Sequence, residues 1–252
     1  MRADSGGRLR QEPRRPVTGA LAGEDFKRLP GAGREAALTF DCGGTADGGP
    51  EVLETLEARG VPASFFMTGL FARHHPDLTR RIGARYPLGN HSMTHPKLNT
   101  LTAAQRSAEV VAAADALAEA AGRPADALFR FPYGIRNKES IGAVNAASYV
   151  SVGWTVDSAG WRDTSGGAST AMVVERVTKA LAPGAIVLLH IGTTSPDDPS
   201  TVDATALPRL LDSITRRATA SPRSTTSSAR SRACATPAQA DPVAVPGRRR
   251  GW

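Results

Sequence analysis

The chain has 252 residues, 40% of them apolar and 22% charged, and a net charge of +7. That is length enough for one large domain or two small ones with a packed core. No apolar run reaches the roughly 18 residues of a membrane span, the first 20 residues hold no apolar stretch of the signal-peptide kind, and Cys42 and Cys234 do not make a disulfide framework. The positive charge lies in the two ends, because residues 36–217 hold 17 basic and 18 acidic side chains. A nucleic-acid partner needs basic residues clustered on a folded face, so none is expected.

Residues 1–34 are rich in Gly, Arg and Pro and lack periodicity, which predicts a disordered basic leader. Ala36 to Phe40 reads as a buried strand stopped by Asp41 and Gly43-Gly44. Pro50 to Arg59 reads as a helix with Val52, Leu53 and Leu56 on one face and Gly60 as its stop. Ala63 to Met67 is a second strand and Phe71 to Arg85 a second helix, after which Tyr86-Pro87-Leu88 leads into a histidine loop. Thr102 and Gln105 form a capping box for an alanine-rich helix to Ala121, closed by Gly122. Leu128 to Phe131 is a strand ended by Pro132-Tyr133-Gly134. A helix around 140–147, a strand from Tyr149 to Trp154, a helix from Thr170 to Leu181, a strand from Ala185 to Leu189 and a helix from Asp203 to Arg217 follow. Strand alternating with helix predicts parallel strands joined by crossover helices.

His91 and His95 lie four residues apart in Asn90-His91-Ser92-Met93-Thr94-His95. A helical turn there puts both rings on one face, where they can share one divalent cation. Asp41, His91, Arg130, Asp157 and His190 each fall at or just past the end of a predicted strand. In an α/β barrel the C-terminal strand ends share one face, which carries the active site. Position, more than residue type, therefore brings these groups together.

With those stretches in view, the chain resembles the polysaccharide deacetylases of the NodB-homology, carbohydrate esterase 4 type over about residues 36–217. Thr39-Phe40-Asp41-Cys42-Gly43 resembles the family's Thr-Phe-Asp-Asp-Gly motif, and Asn90 to His95 its metal-histidine motif. Arg130-Phe131-Pro132-Tyr133-Gly134, Trp154 to Trp161 and Leu188-Leu189-His190 are similar to the motifs that follow. The resemblance implies a distorted (β/α)7 barrel over 35–217 that removes N- or O-acetyl groups from a sugar polymer such as peptidoglycan or a chitin-like oligosaccharide. It also implies a divalent metal, zinc first and cobalt or manganese as alternatives. An extracellular or cell-envelope location and a monomer are expected with it.

Carried over residue by residue, the resemblance makes His91 and His95 metal ligands and Asp41 the general base, with Asp41 a further ligand. Arg130 would hold Asp41 ionised, and His190 would be the general acid. The Tyr133 backbone N–H would help bind the oxyanion, and Trp161 would wall the acetyl pocket. The sequence departs from the family at two of these places. Cys42 stands where the family has a metal-binding aspartate; it reads either as a thiolate ligand or as a small buried residue, with Asp47 a further candidate ligand. Gly160 stands where the family often has the aspartate that tunes the acid histidine, a role passed here to Asp157. Both departures admit an alternative, a catalytically impaired glycan-binding remnant of the same fold. A glycosidase needs two acidic groups flanking the bond, which this histidine-rich set does not supply.

From Ala218 the chain becomes Thr-Ser-Pro-Arg low complexity. Reading the codons one nucleotide earlier turns every junction into a TCN serine into NTC, which encodes Phe, Leu, Ile or Val. One allowed reading is Gly-Tyr-Arg-Phe-Thr-Thr-Leu-Asp-Asp-Leu-Leu, which is similar to the last barrel strand of the family. Residues 218–252 are therefore expected to be a frameshift product that costs the barrel its last strand. Resequencing the coding DNA is expected to show a shifted base near codon 217; an intact frame with no strand-like reading in the other frame refutes this.

Overall fold

The computed structural model describes residues 2–3, 9–10, 15–33, 35–193 and 200–220. The low-complexity tail beyond Ala220 and most of the first 14 residues lie outside the described residues, and with them the reading-frame expectation. The strands of the main sheet are β1 (Asp25–Phe26), β2 (Ala37–Cys42), β3 (Ser64–Met67), β4 (Leu88–Asn90), β5 (Leu128–Phe129), β6 (Val150–Val152), β7 (Val156–Asp157) and β8 (Ile186–His190). They lie in the order β1-β6-β5-β4-β3-β2-β8-β7, and every neighbouring pair is parallel. The sheet curls into a distorted (β/α) barrel. Among the described residues it stays open, with β1 and β7 as its edges and no strand after the last helix.

Period-two alternation assigns the faces. Along β2, Leu38, Phe40 and Cys42 point outward into the main core, where they meet Phe65, Met67, Val187 and Leu189. Ala37 points the other way and packs with Phe66, Leu128, Val152 and Ile186. Thr39 and Asp41 share that inner side, and Thr39 is satisfied by donating its hydroxyl proton to the Val187 carbonyl at 2.7 Å. The parallel register of β2 and β8 sets His190 beside Asp41.

The helices cover the outer face. Helix α1 (Gly49–Arg59) starts on Pro50, stops at Gly60 with φ 61°, and buries Val52, Leu53 and Leu56. The single helix expected over 71–85 is two, α2 (Gly69–His74) and α3 (Pro76–Gly83), because proline cannot continue a helix and pushes His75 out of the helical region, to φ −129° and ψ 59°. Helix α4 (Ala103–Ala121) has the expected Thr102/Gln105 capping box and packs its buried alanines against α2 and α3. Helices α5 (Lys138–Ala146), α6 (Thr170–Ala180) and α7 (Val202–Ala220) complete the layer, with α7 packed on α6 and α1.

The folded part begins earlier than the boundary expected at residue 34. Asp25–Phe26 pairs with Ser151–Val152 as an edge strand, and Arg28 bridges antiparallel to Ala185. The Leu29 N–H donates to the Gly184 carbonyl at 2.8 Å. A two-residue strand surrounded by charge carries no periodicity, so composition alone read it as leader.

Gly89 in β4 has no room for a side chain, since a Cβ there would lie 2.4 Å from Phe66 Cδ1. Gly89→Ala is expected to lower stability by about 1–3 kcal/mol through overpacking, read as a lower urea midpoint with unchanged slope.

Candidate active site

Arg130 follows β5 directly and is fully buried. Its guanidinium donates to Asp41 Oδ1 at 2.8 Å, to the Val152 carbonyl at 3.1 Å and to the Gly153 carbonyl at 3.2 Å. It lies 4.0 Å above the Phe66 ring centroid, with Trp154 on another side at 5.8 Å. Burial raises the pKa of Asp41, but Arg130, His91 and His190 outweigh it, and the carboxyl is held below its ordinary value.

The two histidines meet, though not through a helical turn. Residues 91–96 are loop, with left-handed backbone at Ser92 (φ 68°) and His95 (φ 63°). The turn is fixed from both sides. The Ser92 N–H donates to Asn90 Oδ1 at 2.9 Å and the His95 N–H to Ser92 Oγ at 3.0 Å. Glu109 on α4 accepts from the Met93 and Thr94 N–H groups, both at 2.9 Å, and from the Thr94 hydroxyl at 2.8 Å. His91 Nε2 then lies 3.1 Å from His95 Nε2 and 3.4 Å from Asp41 Oδ2.

These residues suit a divalent cation. His91 Nδ1–H donates to the Arg130 carbonyl at 2.8 Å, which fixes the tautomer and turns the Nε2 lone pair toward His95. Burial keeps both rings neutral: it lowers His91 despite Asp41, and it lowers His95, with His91 adding to the effect, to about 4. Two imidazole nitrogens beside a carboxylate are donors that zinc and its neighbours accept. Among the described residues no three His, Cys, Asp or Glu side chains already form a closed cage, so the histidine pair is the built part of the site.

Cys42 does not join this group. It sits on the opposite face of β2 from Asp41, fully buried among the apolar side chains of the main core. Burial, and then the Asp41 charge, pushes its thiol well above the ordinary range. The period of the strand decides the matter: adjacent residues cannot face the same side. Asp47, the other candidate, is exposed and its charge acts on His75.

His190 ends β8 with its side chain 21% exposed. Burial lowers its pKa, but Asp203, Asp41 and Asp157 outweigh it and raise the ring above its ordinary value. The nearest of these carboxylates is not Asp157, as expected, but Asp203 at the start of α7, whose Oδ2 is 3.6 Å from His190 Nδ1. Asp157 is engaged elsewhere, accepting the Ala159 N–H at 2.8 Å and the Trp161 Nε1–H at 3.2 Å. The Trp161 indole is thereby tethered, with Arg162 over its ring at 5.4 Å. Tyr133, 58% exposed and left-handed at φ 58°, sets its ring 4.5 Å from that of His95. Asp203 and Glu109 escaped sequence reasoning because each looks like an ordinary helix carboxylate; only the packing of α7 and α4 aims them inward.

Arg130→Leu is expected to cost about 3–5 kcal/mol, because it strands a buried carboxylate. The pH dependence on the acid side should weaken. With Arg130, the lowered Asp41 pKa contributes stability that is lost only as pH falls through that value, below about 3.9. Without it only the two histidines oppose burial, the Asp41 pKa rises, and the loss of stability on acidification should shrink, read as a smaller difference in urea midpoint between pH 5 and pH 3.

A family model described as "Polysaccharide deacetylase" matches residues 29–152. A chitooligosaccharide deacetylase of Bradyrhizobium sp. (strain ANU 289) is 34% identical over 192 residues, which is 73% of this chain and 86% of the relative. The solved Bacillus subtilis PdaA, a family 4 carbohydrate esterase, superposes with a TM-score of 0.68 at 27% identity, over 77% of this chain and 80% of that one. A family 4 carbohydrate esterase from Streptomyces lividans, in complex with acetate, gives a TM-score of 0.63 at 30% identity, over 74% and 90%. An open parallel barrel with an aspartate, an arginine and three histidines gathered at its strand ends thus comes with matching relatives in both sequence and structure, and the chain belongs to the polysaccharide deacetylase family, carbohydrate esterase family 4.

Proposed function

We propose that the protein is a hydrolase that removes acetyl groups from the amino sugars of a polymer. The observation that carries the reading is the meeting of Asp41, Arg130, His91, His95 and His190 on one barrel face. Relatives named as chitooligosaccharide deacetylases and as a peptidoglycan-N-acetylmuramic acid deacetylase supply the substrate class, an N-acetylated glycan. They also supply a cell-wall setting for the reaction, and no described helix is long and apolar enough to cross a membrane.

His91 and His95, with Asp41 beside them, would hold the divalent cation, zinc by the donor set, which would polarise the acetyl carbonyl and acidify a water. Asp41, kept ionised by Arg130, takes the proton from the attacking water as the water oxygen bonds to the acetyl carbon. The Tyr133 backbone N–H donates to the oxygen that gains negative charge. His190, protonated because its neighbours are carboxylates, gives its proton to the sugar nitrogen as the C–N bond breaks. The products are acetate and the free amine. Trp161 walls the pocket for the acetyl methyl, and the exposed Tyr133 ring is a face for the sugar.

Acetate release from N-acetylglucosamine oligomers by the zinc-loaded full chain tests the reading. Asp41→Asn and His190→Gln are each expected to cut kcat by about 10²–10⁴-fold, the usual worth of a placed base or acid. Chelation should abolish turnover. Activity should fall as pH rises through the raised His190 pKa, above the ordinary histidine value of about 6.5, because only the protonated ring can donate. A folded, zinc-loaded protein that binds oligomers and releases no acetate instead makes it a glycan-binding remnant.

A further inference from the structure

Gly160 precedes Trp161 in the loop after β7, and its backbone closes on α7. A Cβ there would lie 2.2 Å from Asp203 Oδ1 and 2.4 Å from its Cγ. No side chain at position 160 is compatible with the carboxylate where it stands. That carboxylate is buried, and its Oδ2 is committed to the end of β8 and the loop before Gly160. It accepts the His190 backbone N–H at 2.8 Å and the Ser158 hydroxyl at 2.9 Å, while Ser158 Oγ itself accepts the Gly160 N–H at 3.1 Å. Among the described residues Asp203 Oδ1 and His190 Nδ1 have no hydrogen-bond partner. The separation of 3.6 Å between His190 Nδ1 and Asp203 Oδ2 leaves a small ring rotation to close the contact.

We propose that Asp203 is the positioning residue for His190, and that the bare backbone at Gly160 is what admits it. Carboxylate at 203 and glycine at 160 form one unit. A carboxylate on the loop at 160 would fill the same space and exclude the one from α7. Asp157 acts on His190 only through its charge, while its two oxygens accept from its own loop. The catalytic loop and the last described helix are thereby tied, and α7 contributes to the site although it carries none of the motif residues. Asp203 is also the foremost of the carboxylates that raise the pKa of His190.

The activity arm of the test rests on the deacetylase reading, so a second arm is independent of it. In the full chain, Asp203→Asn keeps the size and the acceptor while removing the charge, and Gly160→Ala pushes the carboxylate aside. Each is expected to lower kcat for acetate release by about tenfold or more with KM within about twofold, the pattern of a group felt only in the transition state. The exchanged pair Asp203→Ala with Gly160→Asp should regain most of the wild-type kcat, and Asp203→Ala with Gly160→Ala should not. A folded exchanged pair with no recovery, or an Asp203→Asn protein with wild-type kcat, overturns the proposal. If the wild type itself releases no acetate, the deacetylase reading falls and the ring spectrum decides. ¹⁵N shifts assigned with His190→Gln should show a proton on Nδ1 in the wild type and the exchanged pair, and its loss in Asp203→Ala. Identical spectra in all three overturn the proposal.

Discussion

The site depends on a single buried ion pair. Arg130 sits with no exposure between Phe66 and Trp154, and a guanidinium in such a place needs hydrogen-bond partners and a counter-charge. The carbonyls of Val152, which ends β6, and of Gly153 after it each accept one N–H, and Asp41 accepts a third and meets the charge. This constraint fixes two strand ends across the barrel and leaves Asp41 Oδ2 facing His91. It also fixes the histidine, because the Arg130 carbonyl orients the His91 ring. The energetic cost of burying two charges is converted into geometry: a carboxylate that stays ionised and an imidazole that stays neutral, 3.4 Å apart.

Much of this was legible in the sequence, and the reasons are physical. A strand must alternate its faces and a parallel barrel must gather its strand ends. Polar residues closing apolar runs, Asp41, Arg130 and His190, therefore had to share one mouth. The same alternation, carried one residue further, should have removed Cys42 from the ligands. A family motif invited a metal role, while the period of β2 placed the thiol in the core. The histidine pair was found by spacing, but the route was different: left-handed residues bring the rings together where a helix was expected, and Ser92, Asn90 and Glu109 hold that turn.

What stayed illegible has one cause in common. Asp25–Phe26, Glu109 and Asp203 act through tertiary packing and carry no local pattern. A two-residue edge strand has no period to read. A glutamate on the exposed flank of an alanine-rich helix looks like solvation, and an aspartate in the first turn of α7 looks like a partner for the helix dipole. The two carboxylates are recognised only once their helices are docked: Glu109 is then seen to accept backbone N–H groups from the histidine loop, and Asp203 the backbone N–H of His190.

Gly160 shows how an apparent loss in sequence can be a relocation in space. Read along the chain, a glycine in place of an acid removes the group that tunes the histidine. Read in three dimensions, the glycine is the condition for another acid to arrive, since any Cβ would collide with the Asp203 carboxylate. On the proposed reading, the negative charge near His190 Nδ1 comes from a helix and not from the loop, with Asp203 Oδ2 at 3.6 Å. A helix offers a firmer mount than a loop, because the backbone of α7 is held along its length by α6 and α1. The packing of α7, by Leu207, Leu210 and Leu211 in the main core, holds the carboxylate that accepts the His190 backbone N–H. If Asp203 positions His190 as proposed, mutations that loosen this helix reach the chemistry without touching a motif residue.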